Sequence, residues 1–146
     1  MLLARDYSPA VKIGGAKWLP NDIAGMLGLP TIGSIFYVDP FAGSDTANNG
    51  GSPNTALATV AAAYALCTSG QHDVVIISPT GGTGRTVEPV AITWAKRFTH
   101  LIGSAAPTSA NVRAGMAFTA TAQTTTPQFV LSENGCIFKN VTFKQA

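Results

Sequence analysis

Four oxygen-bearing side chains, Asp39, Asp45, Asn48 and Asn49, fall within one loop. Calcium takes roughly six to eight oxygen ligands and often finds them in such a loop. The spacing is not that of a helix–loop–helix site, and no bidentate Glu closes it. Asx turns leading into a helix explain the same residues more simply, so no metal is expected. Gly81-Gly82-Thr83-Gly84-Arg85-Thr86 resembles a phosphate loop following a strand. It lacks the Lys-Ser/Thr ending, and Glu88-Pro89 follow where a helix would have to begin, so it reads as a turn and no cofactor is expected. Beyond Asp73 the only acids are Glu88 and Glu133, and neither has a carboxylate near it in sequence. The bases Lys96, Arg97, Arg113 and Lys139 lie in separate segments, and His72 and His100 flank strands as structural or exposed residues. With no nucleophile–base pair and no paired carboxylates, the chain does not read as an enzyme. One aromatic side chain, Trp94 beside Lys96-Arg97, is a candidate for stacking on a sugar, whereas Tyr64 and the Phe residues read as core.

Composition narrows the partners. Of 146 residues, 46% are hydrophobic and only 11% are charged, against about 25% charged in an average soluble domain. The nine basic residues are scattered and leave a net charge of +2. Phosphate-backbone binding needs a clustered basic footprint, so nucleic acid is not expected. A polar, nearly uncharged surface suits neutral partners or protein assembly. The segment at Met1–Asp6 has no charged start followed by an apolar run, so no signal peptide is expected. No apolar stretch reaches the ~20 residues of a membrane span, so no membrane association is expected either. The two cysteines, Cys67 and Cys136, show no metal-ligand spacing. They read as buried thiols, with a disulfide left open.

The elements that must position these residues fall into two parts. Residues 1–33 are broken every few positions by Gly or Pro, yet carry Trp18, Leu19, Ile23, Met26 and Leu27. That composition is not a linker's. It describes an extended arm, with one helical turn near 22–27, lying on its own domain or docking on a partner through those five side chains. From residue 34 the order changes. Ile35-Phe36-Tyr37-Val38 reads as a strand stopped by Asp39-Pro40. A long polar loop leads to a helix over 55–68, on which Leu57, Val60, Ala61, Tyr64 and Thr68 form one apolar stripe. Val74-Val75-Ile76-Ile77 is a strand of the kind buried on both faces. Short strands follow near 87–94, 100–103, 116–122, 128–131 and 136–143, the last split in two with Asn140 at the corner.

Phe36-Tyr37-Val38-Asp39-Pro40, then Gly43-Ser44-Asp45, Ser52-Pro53 and Leu57-Ala58-Thr59-Val60-Ala61-Ala62-Ala63 resemble the N-terminal entry of pectin-lyase-like right-handed parallel β-helices. Asn134-Gly135-Cys136-Ile137-Phe138-Lys139-Asn140-Val141-Thr142-Phe143 looks like one coil of the same solenoid. The resemblance spans residues 34–146 and implies a mainly β fold. In it Leu57, Val60, Ala61 and Tyr64 cap the open end of the first coil, because an uncovered coil exposes strand edges and apolar interior. Coil-like sequence running to the end without a cap implies a longer protein or a last coil covered by another chain, and the first is favoured. Sequences of this character are similar to bacteriophage virion proteins. That likeness implies a structural role in the virion, as capsid decoration or projection, with residues 1–33 as anchor, a homotrimer, and the major capsid protein among the partners. The alternative it leaves is a tailspike, fibre or secreted β-helix protein that binds or depolymerises polysaccharide.

Overall fold

The computed structural model describes residues 20–29, 32–81, 85–104, 115–118 and 127–144. Helix α1 (Pro20–Leu27) precedes strand β1 (Ile35–Val38). A short 3-10 turn at Pro53–Thr55 leads to helix α2 (Val60–Leu66). Strands β2 (Val74–Ile77), β3 (Arg85–Glu88), β4 (Ile92–Trp94) and β5 (His100–Gly103) come next, then β6 (Gly115–Phe118), β7 (Phe129–Leu131), β8 (Phe138–Lys139) and β9 (Thr142–Lys144). The fold is mainly β. The sheets run β1-β2-β5-β8, β3-β6-β9 and β4-β7. Every strand pairing is parallel. From β2 onward the chain visits the three sheets in strict rotation, two full rounds and part of a third. Parallel neighbours cannot be joined by a tight hairpin; the crossover from β1 to β2 runs through α2, and from β2 onward each crossover is made through the other two sheets.

Alternation within the strands sets the core. In β3, Thr86 and Glu88 are buried while Val87 is exposed; in β4, Ile92 and Trp94 are buried and Thr93 is exposed. Strand β2 is buried at all four positions because its sheet is covered twice. Val75 and Ile77 face the main core with Val38, Leu57, Val60, Tyr64, Trp94, Leu101 and Met116. Val74 and Ile76 face a second cluster with Ile23, Tyr37, Ala56 and Ile102, against which Leu27 also packs. Helix α1 therefore lies on the chain's own sheet. Ile23 is 1% exposed, so that side chain is spent on the domain itself and is not offered to a partner. Leu27 is half-buried there, while Trp18, Leu19 and the Met26 side chain lie outside what is described.

Several boundaries differ from the sequence pattern. The helix starts at Val60 and not near 55, because Leu57 is drawn into a parallel bridge with Val38. Its amide donates to the Tyr37 carbonyl and its carbonyl accepts from Asp39, so this segment covers the free edge of β1. The strand expected over 87–94 is two strands, bent at Pro89–Ala91 where the chain passes from one sheet to the next. The strand expected over 116–122 is seen as Gly115–Phe118, and 119–126 lie outside the described residues. The split at 136–143 is present, with Asn140 at φ 54 between β8 and β9.

The register also aligns the corners. Val74 pairs with His100, and Leu101 with Phe138, which places His72, Phe98 and Gly135 at equivalent positions of successive rounds. All three are left-handed, at φ 58, 54 and 71. Such a conformation disfavours L side chains, yet two are kept here, where their rings pack against each other: those of His72 and Phe98 are 5.0 Å apart and tilted. At the third position only glycine fits, since a Cβ on Gly135 would run into the Phe98 ring.

Candidate functional site

The polar side chains that could do chemistry converge on helix α2. Seven residues long, it is too short to be stable alone, so its ends need partners from elsewhere. At the N-terminus the Thr59 hydroxyl accepts from the Ala62 amide at 3.2 Å. Asp45 accepts from the Ala58 amide at 2.7 Å, the Thr59 amide at 3.1 Å and the Thr59 hydroxyl at 2.9 Å. Glu88, reaching inward from β3, accepts from the Val60 amide at 2.8 Å and the Ala61 amide at 3.2 Å. Glu88 is fully buried. Burial pushes its carboxyl above the ordinary range, with Asp45 adding to the rise; the Thr86 hydroxyl and the two amides oppose it without overcoming it.

The C-terminus is held by the opposite charge. Lys96 Nζ donates to the carbonyls of Tyr64 at 2.9 Å, Ala65 at 2.8 Å and Cys67 at 2.7 Å, and it lies 4.9 Å from the Tyr64 ring centre. Tyr64 returns the contact: its hydroxyl accepts from the Ala95 and Lys96 amides at 2.6 and 2.7 Å. Its ring stacks on Trp94 at 4.1 Å. A carboxyl group that accepts from the free amides of the helix N-terminus and a cation at its C-terminus both satisfy groups that the helix leaves open. Here both come from the first round of strands beneath α2, and they fasten it like two pins.

Two further buried carboxyl groups are spent in the same way. Asp39 accepts from the amides of Phe41, Ala42 and Thr80 and from the Thr80 hydroxyl, the last at 2.6 Å. Burial pulls its carboxyl up, but the Thr80 hydroxyl and those amides together hold it below its ordinary value. Asp73 accepts from the Ser34 amide at 2.6 Å and the Thr68 amide at 2.7 Å. Asn48 donates to the Ala56 carbonyl, and Asn49 accepts from the Gly51 amide. The loop carboxylates and amides thus close separate turns and do not converge. Among the described residues no group of three or more His, Cys, Asp or Glu could hold a metal ion. Glu133 is exposed while Glu88 is buried beneath α2, so the two acids do not share an environment.

Trp94 is not at the surface. Its ring is 0% exposed and packs between Tyr64, Phe129 and Phe138, the last edge-on at 5.2 Å. The proposed glycan contact fails on burial, since a sugar cannot stack on a ring already covered on its faces. Leu57, Val60 and Tyr64 are buried in the main core, with Ala61 packed against it. Sequence reasoning missed Glu88 and Lys96 as helix pins. A signal existed in the strand alternation, which puts Glu88 on the same inward face as Thr86 and thereby marks it as an acid needing buried donors.

Cys67 and Cys136 are free thiols. Burial pushes the Cys67 thiol up to about 12, Asp73 adds to the rise and Lys96 opposes it. Thiolate is the reactive form. Cys67 is therefore expected to resist iodoacetamide at pH 8 in the folded protein and to react within minutes in urea, read by intact mass and peptide mapping. Labelling of native Cys67 at the unfolded rate would contradict its burial.

Comparison with family models, with curated proteins and with solved structures yields no match. The arrangement of these residues is accordingly the whole basis for a functional reading. What it does chemically is neutralise helix ends and seal turns.

Proposed function

We propose that this chain is a right-handed parallel β-helix of pectin-lyase-like type with a structural role in a bacteriophage virion, as capsid decoration or projection. The observation that carries the structural role is the fate of the buried ionisable groups: Asp39, Asp73, Glu88 and His100 each bond to backbone amides of a different segment. Side chains committed to scaffold amides are unavailable to a substrate. The three-sheet rotation and the helix pinned over the first round support the β-helix reading. At the opposite side of the stack Phe143 is 49% exposed, whereas Met116, its neighbour in the sheet, is fully buried. That apolar edge suits assembly with other polypeptides, a homotrimer or the major capsid protein among them.

In this reading the anchoring segment lies ahead of α1, because Ile23 and Leu27 already serve the second core cluster. Deleting residues 1–33 would strip that cluster, so the informative deletion is 1–19. The shortened chain is expected to remain soluble and folded by circular dichroism, yet to be lost from purified particles. Quantitative mass spectrometry of those particles is the primary test. A copy number near that of the capsid protein supports head decoration, and one as low as tail proteins supports a projection. Absence of the full-length chain from particles sinks the virion reading and favours the polysaccharide-directed alternative.

A further inference from the structure

We propose that His72 and His100 form a proton-operated latch that fastens the β8 turn of the chain to the rounds beneath it. The geometry fixes the direction of the hydrogen bonds. The Ile137 amide donates to His100 Nδ1 at 3.1 Å, so that nitrogen carries no proton. Neutral His100 must then carry its proton on Nε2, which lies 3.1 Å from His72 Nδ1 and donates to it. His72 in turn keeps its proton on Nε2. The result is a one-way relay from the Ile137 amide through two stacked imidazoles, whose ring centres are 5.4 Å apart.

Each imidazole in that relay uses one nitrogen as an acceptor, so neither tolerates a second proton. Protonating His100 sets an N–H against the Ile137 amide. Protonating His72 sets an N–H against His100 Nε2–H, and relief by tautomer exchange again releases Ile137. The metal-site alternative fails on the same ground, because Nε2 of His100 is free to ligate only if Nδ1 takes the proton and the Ile137 bond is lost. Apart from the latch, the segment is held by Phe138, which packs on Trp94 and Phe129, and by few backbone bonds. Strand β8 is two residues long and pairs with β5 at Phe138 and Lys139, helped by the Leu101 amide donating to the Ile137 carbonyl at 2.9 Å.

The surroundings do not stabilise a cation. His100 is fully buried; burial, with His72 beside it, lowers its titration from 6.5 to about 4. Asp73, adjacent to His72, turns its carboxylate to the Ser34 and Thr68 amides. On the neighbouring turns, Lys96 is committed to the end of α2, Arg97 offers its carbonyl to the Gly70 amide, Cys136 points its thiol to the Lys96 carbonyl, and Lys139 is exposed.

The sign follows from linkage. A group whose folded titration is depressed contributes stability that is complete above its unfolded value and is lost as pH falls toward the folded one. The window is therefore pH 6.5 down to about 4, and opening of the latch should be favoured about thirtyfold at pH 5 relative to pH 8. Hydrogen exchange by mass spectrometry, corrected for intrinsic rates, is the test. In the full chain, protection of residues 134–144 should fall at least about tenfold between pH 8 and 5, while that of 74–77 changes far less. His72→Asn keeps the left-handed corner and an acceptor for His100 but removes the neighbouring imidazole that helps to lower His100, so the loss at pH 5 should be smaller. Ring-nitrogen NMR at pH 8 should find His100 protonated on Nε2. A His100 protonated on Nδ1, equal loss in both segments at one pH, or an unaltered profile in His72→Asn would each overturn the latch.

Discussion

Trp94→Ala should be the most damaging single substitution, lowering stability by about 3–5 kcal/mol. The indole is fully buried and stacks on Tyr64, and it also contacts Phe129 and Phe138. Removing it leaves a cavity where α2, β4, β7 and β8 meet. A domain of this size is stabilised by about 5–15 kcal/mol in all, so the variant should sit near the edge of folding. The measurement is the urea midpoint with its slope, since an unchanged slope assigns the loss to the folded state. Trp94→Phe, which keeps a ring against Tyr64, should recover more than half of the loss. The same pair of variants separates the interior role from a surface one. A glycan-stacking Trp would leave the stability of Trp94→Ala within about 0.5 kcal/mol of the parent.

Glu88→Ala should cost about 3 kcal/mol, because the Val60 and Ala61 amides lose their acceptor inside the protein. Glu88→Gln should cost about half as much, since its carbonyl can serve one amide while its NH2 group confronts the other. Lys96→Met, at the opposite end of α2, should cost about 1–2 kcal/mol through three carbonyls left without their cation. The pH dependence adds a signature. The Glu88 carboxyl is raised, chiefly by burial. A raised group contributes stability that is complete below its unfolded value, near 4.5, and is lost as pH rises through the folded value. The advantage of the parent over Glu88→Gln should therefore be largest in acid and narrow as pH rises. Denaturation series at several pH values would show this; a gap that widens with pH would mean that the carboxylate, and not the carboxylic acid, is the favoured form beneath α2.

A chain whose buried acid and buried Trp both serve one helix has invested its unusual residues in fastening that helix over a strand stack. Those fastenings span 27 to 32 residues of sequence, in pairs such as Glu88 with Ala61 and Lys96 with Tyr64. Rigidity at one side of the stack and an apolar edge at the other fit the proposed assembly role.

Local facts can be read from the order of residues alone. Apolar runs such as Val74-Val75-Ile76-Ile77 declare a strand buried on both faces, and the stripe through Val60, Ala61 and Tyr64 declares a helix with one covered side. Period and face are legible because they depend on neighbours within a few residues. The corner at Asn140 is legible for the same reason, since left-handed backbone favours Asn. Tertiary structure decided everything that depends on what covers a face. An apolar side chain such as Ile23 looks the same whether it waits for a partner or lies on its own sheet. Trp94 beside Lys96-Arg97 fits a wet surface as well as a core, until Tyr64 is placed upon it. Glu88 and Lys96 carry no local mark of the helix they pin, because that helix lies about thirty residues earlier in the chain and only the sheet register brings it overhead. Local pattern sets which side of an element must be hidden; long-range stacking sets what hides it.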